Sequence, residues 1–214
     1  MSSFWQGLTW FGDSGFLLPT AFWLFVWLAS DRATRGMAVC WAILFGACGF
    51  IVMASKLAFM GWGIGSAAYD FTGFSGHTAL AACVWPVACW LVTASFPTAV
   101  RLTTTAAAWV WAVLVGCSRL ALEAHSDSEV VAGLLLGTLA AATFLLLQRR
   151  NRLVPRWGKR WLAAGLIAPC ALLLIGRPAP TQDALQMVAT WMAGIERPFT
   201  RADLWVRTSS PRVM

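Results

Sequence analysis

The sequence predicts an all-α, polytopic membrane protein, and two observations lead to that prediction. The first is composition: of 214 residues, 59% are hydrophobic and only 12% are charged, whereas about a quarter of the residues in a soluble domain are charged. The second is distribution, because Asp, Glu, Lys and Arg are missing from six long stretches. These stretches are 14–30, 36–55, 71–100, 102–118, 130–148 and 161–176. A large soluble core is disfavoured by this pattern.

The charge-free stretches predict a bundle of six transmembrane helices, because a helix needs about 20 mostly apolar residues to cross a bilayer. The helices are expected near 16–30, 37–56, 77–95, 101–118, 129–147 and 161–176. Residues 1–176 then form the six-helix domain, and residues 177–214 form an exported amphipathic and basic tail. Short interfacial helices are expected in the tail and at the N-terminus, where a plain aromatic anchor is the alternative.

The positions of the cations predict the orientation. Nine Lys and Arg residues fall in the loops 31–36, 96–101 and 148–160, whereas the alternate loops contain only Lys56 and Arg119. The positive-inside rule places the nine in the cytoplasm. Both termini and both histidines then face the opposite side, which is the periplasm if the protein lies in a bacterial inner membrane. The net charge of +7 is explained by this topology and by anionic membrane lipids, so nucleic acid is not an expected partner.

One histidine follows a glycine- and serine-rich turn. The stretch "GFSGHTALAA" (73–82) places Ser75 and Gly76 directly before His77 and the third predicted span. A Ser-Gly turn at a helix N-terminus exposes backbone N–H groups, and together with the helix dipole these make an anion site. A simple helix cap is the structural alternative. Lys56, at the end of the second predicted span, is either part of the same site or a cation that snorkels to the headgroups.

The second histidine lies in the loop "CSRLALEAHSDSEVVAG" (117–133). His125 and Glu129 are four residues apart and would share one face of a helix. The carboxylate could then fix the imidazole tautomer and leave the other ring nitrogen free as a nucleophile. Two histidines with Lys56 and Arg119 around one anion suit phosphoryl transfer without a metal or other cofactor. A zinc site of both histidines and Glu129 is disfavoured by the adjacent cations.

These residues resemble the motifs of the type-2 phosphatidic acid phosphatase family, in its integral-membrane lipid-phosphatase branch. The family pattern has three blocks: Lys with a later Arg-Pro; Pro-Ser-Gly-His; and Ser-Arg, a His seven residues after that Ser, and an Asp four further on. The second block matches 74–77, with Phe74 for Pro, and the third matches Ser118, Arg119, His125 and Glu129. The first block is degenerate, because Gly63 and Ile64 stand where Arg-Pro is expected.

The resemblance implies a role for each matching residue. His125 is the nucleophile that forms a phosphohistidine, Glu129 replaces the orienting aspartate, and His77 is the general acid. The residues implied to bind the substrate phosphate are Ser75, Gly76, Arg119 and Lys56. A cation of the tail, namely Arg177, Arg197 or Arg201, is a hypothetical substitute for the missing arginine.

Three classes of function are compatible with the sequence. The first is a phosphatase for a lipid phosphate or diphosphate, such as undecaprenyl diphosphate, a lipid A phosphate or phosphatidylglycerol phosphate. The second is a lipid phosphotransferase that uses the same phosphohistidine, and the third is a non-catalytic protein that binds lipid phosphate or a partner. The tail segment 181–196 has an amphipathic helical pattern, which leaves partner binding, a lid and membrane contact open. The oligomeric state is not indicated.

Overall fold

The computed structural model describes residues 2–149 and 181–209, and within them all regular structure is helical. Eight α-helices follow one another: α1 Ser2–Thr9, α2 Ser14–Ala29, α3 Arg35–Trp62, α4 Gly76–Val92, α5 Thr98–Ala121, α6 Asp127–Gln148, α7 Thr181–Ala193 and α8 Arg201–Ser209. The 3₁₀ turns Trp10–Gly12 and Ala67–Tyr69 precede α2 and α4. The all-α prediction is therefore confirmed over these residues.

The six-span count is not confirmed. Four segments are long and apolar enough to cross a membrane, namely Ser3–Ala29, Arg35–Trp62, Thr98–Ala121 and Asp127–Gln148. The predicted span at 77–95 is the shorter apolar helix Gly76–Val92, and the predicted span at 161–176 lies outside the described residues. The apolar helices are consistent with a membrane protein.

The first apolar segment is broken at Asp13. Asp13 has an extended backbone (φ −65°, ψ 138°), and its carboxylate accepts a hydrogen bond from the Gly15 N–H at 2.7 Å. Asp13 is therefore the N-cap of α2, and α1 is a separate short helix that packs against α5. A short N-terminal helix was expected from the sequence, and the structure contains it.

α3 is longer than the sequence indicates. It continues past Lys56 to Trp62 and ends where Gly63 adopts a left-handed conformation (φ 66°). The Gly63 and Ile64 N–H groups donate to the Phe59 and Ala58 carbonyls at 2.7 and 3.2 Å, which is the hydrogen-bond pattern of a glycine cap. The charge of Lys56 predicts that the span ends there, but the chain has no helix-breaking residue at that point. Lys56 consequently lies within α3.

α4 is the central helix of the bundle, and its first turn carries His77. α6 approaches α4 very closely, since a Cβ atom built on Gly137 would lie 2.1 Å from the Ala79 carbonyl oxygen, and one built on Gly133 would lie 2.6 Å from that of Ser75. At the top of this contact the Ser75 N–H donates to the Glu129 carbonyl at 3.0 Å. The glycines of α6 therefore bring the two predicted catalytic segments side by side.

The helices alternate in direction, which places Asp13, Lys56, His77, Arg119 and Glu129 at one end of the bundle. The tail helices lie at this same end. α7 packs on α3 where Ala189 meets Gly61, and a small apolar cluster of Phe59, Met60, Ala189 and Leu204 joins α3, α7 and α8. The predicted tail helix is thus present, and Leu185 and Ala189 form its packed face, while Val188 and Met192 remain exposed.

Candidate active site

Both histidines line one cavity of about 1330 Å³ at the end of the bundle where α7 and α8 lie. Its other polar and charged lining residues include Asp13, Lys56, Arg119, Gln182 and Arg201. The structure thus brings together residues that are as far apart in sequence as Asp13 and Arg201. Five of the seven site residues predicted from the motifs line this cavity, namely His77, His125, Lys56, Arg119 and Gly76.

His125 is held by Glu129. The distance from His125 Nδ1 to Glu129 Oε2 is 2.6 Å, and the Glu129 side chain is fully buried. α6 begins at Asp127, so His125 precedes the helix, and the expected pairing along one helical face is replaced by an N-terminal cap. Ser126 and Glu129 form a capping box, in which Glu129 Oε2 also accepts the Ser126 N–H at 3.2 Å. The cap fixes the carboxylate, and the carboxylate fixes the imidazole.

Thr72 completes the surroundings of the Glu129 carboxylate. Its backbone N–H donates to Glu129 Oε1 at 2.7 Å, and its hydroxyl donates to the same oxygen. With Nδ1 of His125 facing Glu129, Nε2 is the ring nitrogen left for substrate. Burial lowers the pKa of His125 below its ordinary value, as do the charges of Lys56 and Arg119, although the bond to Glu129 opposes them. The neutral, nucleophilic form of His125 is therefore favoured.

His77 lies opposite a different carboxylate. Its Nε2 is 3.6 Å from Asp13 Oδ2, and Asp13 is almost completely buried. Gly12 permits this approach, because a Cβ atom there would be 3.0 Å from the His77 Cβ and 2.5 Å from a methyl of Val115. Asp13 was not recognised as a site residue. The available signal was its isolation, since it is the only charged residue among the first thirty.

Two cations line the cavity from neighbouring helices. Arg119 donates through Nη1 to the Thr9 hydroxyl at 2.8 Å, and its buried Nε has no hydrogen-bond partner among the described residues. The Lys56 ammonium donates to the Gln182 side-chain oxygen at 3.2 Å. Arg119 and Lys56 thus keep donor capacity facing a space that could hold an anion.

Ser75 and Gly76 occupy different positions at the start of α4. Gly76 lines the cavity, whereas Ser75 is fully buried and its hydroxyl pairs with that of Thr78 at 3.0 Å. The Ser75 side chain does not cap α4. The predicted phosphate contact of Ser75 stays a prediction, and the helix N-terminus is the part of this motif that adjoins the cavity.

The tail contributes Arg201, which was one of three hypothetical substitutes for the missing arginine. Arg201 Nη2 donates to Glu129 Oε2 at 2.8 Å, and Nη1 donates to the carboxylate of Asp70. Arg197 instead pairs with Asp203 on the surface, and Arg177 lies outside the described residues. No cluster of metal-ligating side chains occurs within residues 2–149 and 181–209.

Comparison with known proteins identifies the family. The model of the PAP2 superfamily matches residues 60–153, and these include both histidines, Arg119 and Glu129. An "Uncharacterized 22.5 kDa protein in cps region" of Klebsiella pneumoniae is 47% identical over 204 residues, which cover 94% of this chain and 97% of that protein. The chain belongs to the PAP2 superfamily. No solved structure matches it.

Membership in the PAP2 superfamily confirms the predicted resemblance and suggests a membrane phosphatase. The matched region does not include Asp13, Lys56 or Arg201. Three charged residues of the cavity therefore come from parts of the chain outside the PAP2 match.

Proposed function

We propose that this PAP2 protein is an integral-membrane lipid phosphatase that acts through a phosphohistidine at His125. The observation that supports it best is that both histidines line one cavity together with Lys56 and Arg119, while the Glu129 carboxylate lies 2.6 Å from Nδ1 of His125. This arrangement supplies a nucleophile, a proton donor and cations for the phosphate oxygens.

In the first step the Nε2 lone pair of His125 attacks phosphorus, and the bond from phosphorus to the lipid oxygen breaks. The leaving oxygen takes the proton of the His77 imidazolium. Glu129 accepts the Nδ1–H bond throughout and stabilises the positive charge that develops on the His125 ring. Arg119, Lys56 and the N–H groups at the start of α4 hold the non-bridging oxygens.

In the second step water attacks the phosphorus of the phosphohistidine. The now neutral His77 accepts a proton from the water, the phosphorus–nitrogen bond breaks, and inorganic phosphate leaves. His125 and the His77 imidazolium are both regenerated. The cycle needs no cofactor, because the chain provides every proton acceptor and donor that it uses.

The apolar part of the cavity supports a lipid substrate. Phe45, Phe50, Met53, Leu18 and Leu80 line the same space as the histidines, and an acyl or isoprenoid chain asks only for such an apolar surface. Substrates of the undecaprenyl diphosphate, lipid A phosphate or phosphatidylglycerol phosphate type fit this description. The positive-inside pattern supports an active site that faces the periplasm from the inner membrane.

The test is an assay of purified wild type, His125→Ala and Asp127→Ala on a panel of these lipid phosphates in detergent micelles. Asp127 is a matched control, because it is an exposed residue two positions from His125. We expect phosphate release by wild type and the control, and none by His125→Ala. Phosphate release by His125→Ala, or no reaction of wild type with any lipid phosphate, would overturn the proposal. Transfer of labelled phosphate to a second lipid without release would identify a phosphotransferase.

A further inference from the structure

The Glu129 carboxylate is the most heavily hydrogen-bonded group of the site. Thr72 donates twice to Oε1, and Oε2 faces His125 Nδ1, the Ser126 N–H and Arg201 Nη2. Glu129 is fully buried, and a buried carboxylate is costly unless a cation and several donors compensate it. Among these hydrogen-bond partners, Arg201 is the one that carries a permanent charge.

Arg201 also connects two loops that meet at the site. While Nη2 donates to Glu129 at 2.8 Å, Nη1 donates to the Asp70 carboxylate and, at 3.1 Å, to the Asp70 carbonyl. The same carbonyl accepts the Ser126 hydroxyl at 2.7 Å. Asp70 lies two residues before Thr72, so Arg201 fixes the loop that provides the donors to Oε1 as well as the carboxylate itself.

Hydrogen bonds and apolar contacts hold the tail on both sides of Arg201. The Phe199 N–H donates to the Met60 carbonyl at 2.9 Å, and Leu204 is buried in the cluster with Phe59 and Met60. Asp203 accepts from the Thr200 N–H at 2.8 Å and thereby caps the start of α8. Arg201 is the first residue of α8, so its backbone is held on both sides.

We propose that Arg201 is a positioning residue, through which the C-terminal tail holds the Glu129 carboxylate against His125. The inference rests on the proposed function and assigns to the tail a part of the catalytic machinery. Both terminal nitrogens of Arg201 are occupied by Glu129 and Asp70, so it acts on the nucleophile and not as a phosphate ligand. A guanidinium is required, because a lysine ammonium cannot make this two-pronged bridge.

The experiment is a double-mutant cycle between Arg201 and Glu129 in the full-length protein. Wild type, Arg201→Gln, Glu129→Gln and the double variant are assayed on a lipid phosphate that wild type hydrolyses, with Arg197→Gln as the matched control. Arg197 is another tail arginine, but its ion pair is exposed and should contribute little. Elution in detergent and the thermal midpoint report whether each variant is folded.

We expect Arg201→Gln to lower kcat by about 10- to 100-fold, as for loss of a group that orients a reactive side chain. KM and inhibition by inorganic phosphate should change less than about threefold, because the phosphate ligands remain. In the Glu129→Gln background the same substitution should cost less than about threefold, since its partner is already lost. Arg201→Lys should recover only part of kcat, and Arg197→Gln should behave as wild type.

Three results would overturn the proposal. Full kcat in Arg201→Gln would exclude any role of Arg201 in catalysis. A selective rise in KM or in the inhibition constant of inorganic phosphate would show that Arg201 is a substrate ligand. Additive losses of kcat in the cycle would show that Arg201 does not act through Glu129. If Arg201→Gln is not folded, Arg201→Lys provides the same cycle with the charge retained. Failure of the proposed function is separate, because wild type would then be inactive or His125→Ala active.

Discussion

The two histidines of the site have a carboxylate partner each, but the two pairs are built differently. His125 lies 2.6 Å from Glu129, which is fully buried, belongs to the cap of α6 and accepts hydrogen bonds from three further residues. His77 lies 3.6 Å from Asp13, which comes from the N-terminal segment and is also occupied with capping α2. One imidazole is fixed by a short hydrogen bond, whereas the other is only near a negative charge.

The difference matches the two tasks in the proposed mechanism. A nucleophile must present one ring nitrogen in a constant direction, which favours a short bond to an immobile carboxylate. A group that first donates and then accepts a proton must change its charge within each cycle. A carboxylate beyond hydrogen-bond distance can stabilise the imidazolium of His77 without fixing its ring, so the looser pair suits the acid and base.

The largest expected effect is the loss of the nucleophile. His125→Ala should lower phosphate release from every substrate by at least about 10⁴-fold, because it removes the nitrogen that forms the covalent intermediate in the proposed mechanism. The measurement is phosphate release together with trapping of labelled phosphoenzyme after rapid quenching. Labelled phosphoenzyme in His125→Ala would contradict the assignment.

His77→Ala should be less severe and should depend on the leaving group. We expect kcat/KM, which reports formation of the phosphohistidine, to fall by about 10²- to 10⁴-fold for a lipid alkoxide, which needs a proton, and by less for a short-chain aryl phosphate, whose leaving group does not. Because His77 also activates water, the phosphohistidine should accumulate in this variant. Equal losses of kcat/KM with both leaving groups would exclude His77 as the acid.

The carboxylates provide the direct comparison of the two pairs. Glu129→Gln should cost about 10- to 100-fold in kcat for lipid and aryl phosphates alike, because it loosens the nucleophile. Asp13→Asn should cost less, about 3- to 10-fold in kcat/KM, and only with the lipid leaving group. The check is kcat and kcat/KM for both substrates in both variants, with Asp127→Asn as a control. Equal sensitivity of the two variants would remove the distinction drawn between the pairs.

The smallest expected effect concerns pH. The pKa of His125 is lower than its ordinary value of 6.5, so the neutral form of its ring still predominates at pH 6.5. We therefore expect kcat/KM to stay high at pH 6.5 and to fall only under more acidic conditions. Lys56→Gln removes a positive charge that lowers this pKa, and the acidic limb should move to higher pH. Arg197→Gln should leave the limb in place. A limb that moves to lower pH in Lys56→Gln would contradict the electrostatic explanation.

The order and spacing of the motifs predicted that His77, Arg119 and His125 would meet, and these three residues line one cavity. His77, Arg119 and His125 are carried by turns and helix ends whose polar residues stand out in an apolar chain, and the alternating direction of the helices places them together. The same contrast indicated the tail helix. Such polar residues can be recognised in the sequence because lipid-facing segments tolerate few polar side chains.

Other features depend on three-dimensional packing and leave no local pattern. Asp13 stands out as the only charged residue among the first thirty, but the sequence does not indicate that the close approach permitted by Gly12 brings it to His77. The sequence does not indicate the role of Thr72, because its two hydrogen bonds to Glu129 depend on the position of a loop that Arg201 contacts at Asp70. The end predicted for α3 at Lys56 is too early, because the charge of Lys56 does not end the helix and the glycine cap lies seven residues further on.

The glycine contact between α4 and α6 has a consequence for the chemistry. Gly137 lies eight residues, or about 12 Å along the helix, from Glu129. A single methyl group at Gly137 would push the backbones of α4 and α6 apart. It would thereby alter the distance between the imidazoles of His77 and His125. The distance between the two imidazoles of the proposed active site therefore depends on how closely α4 and α6 pack at Gly137, in the interior of the bundle.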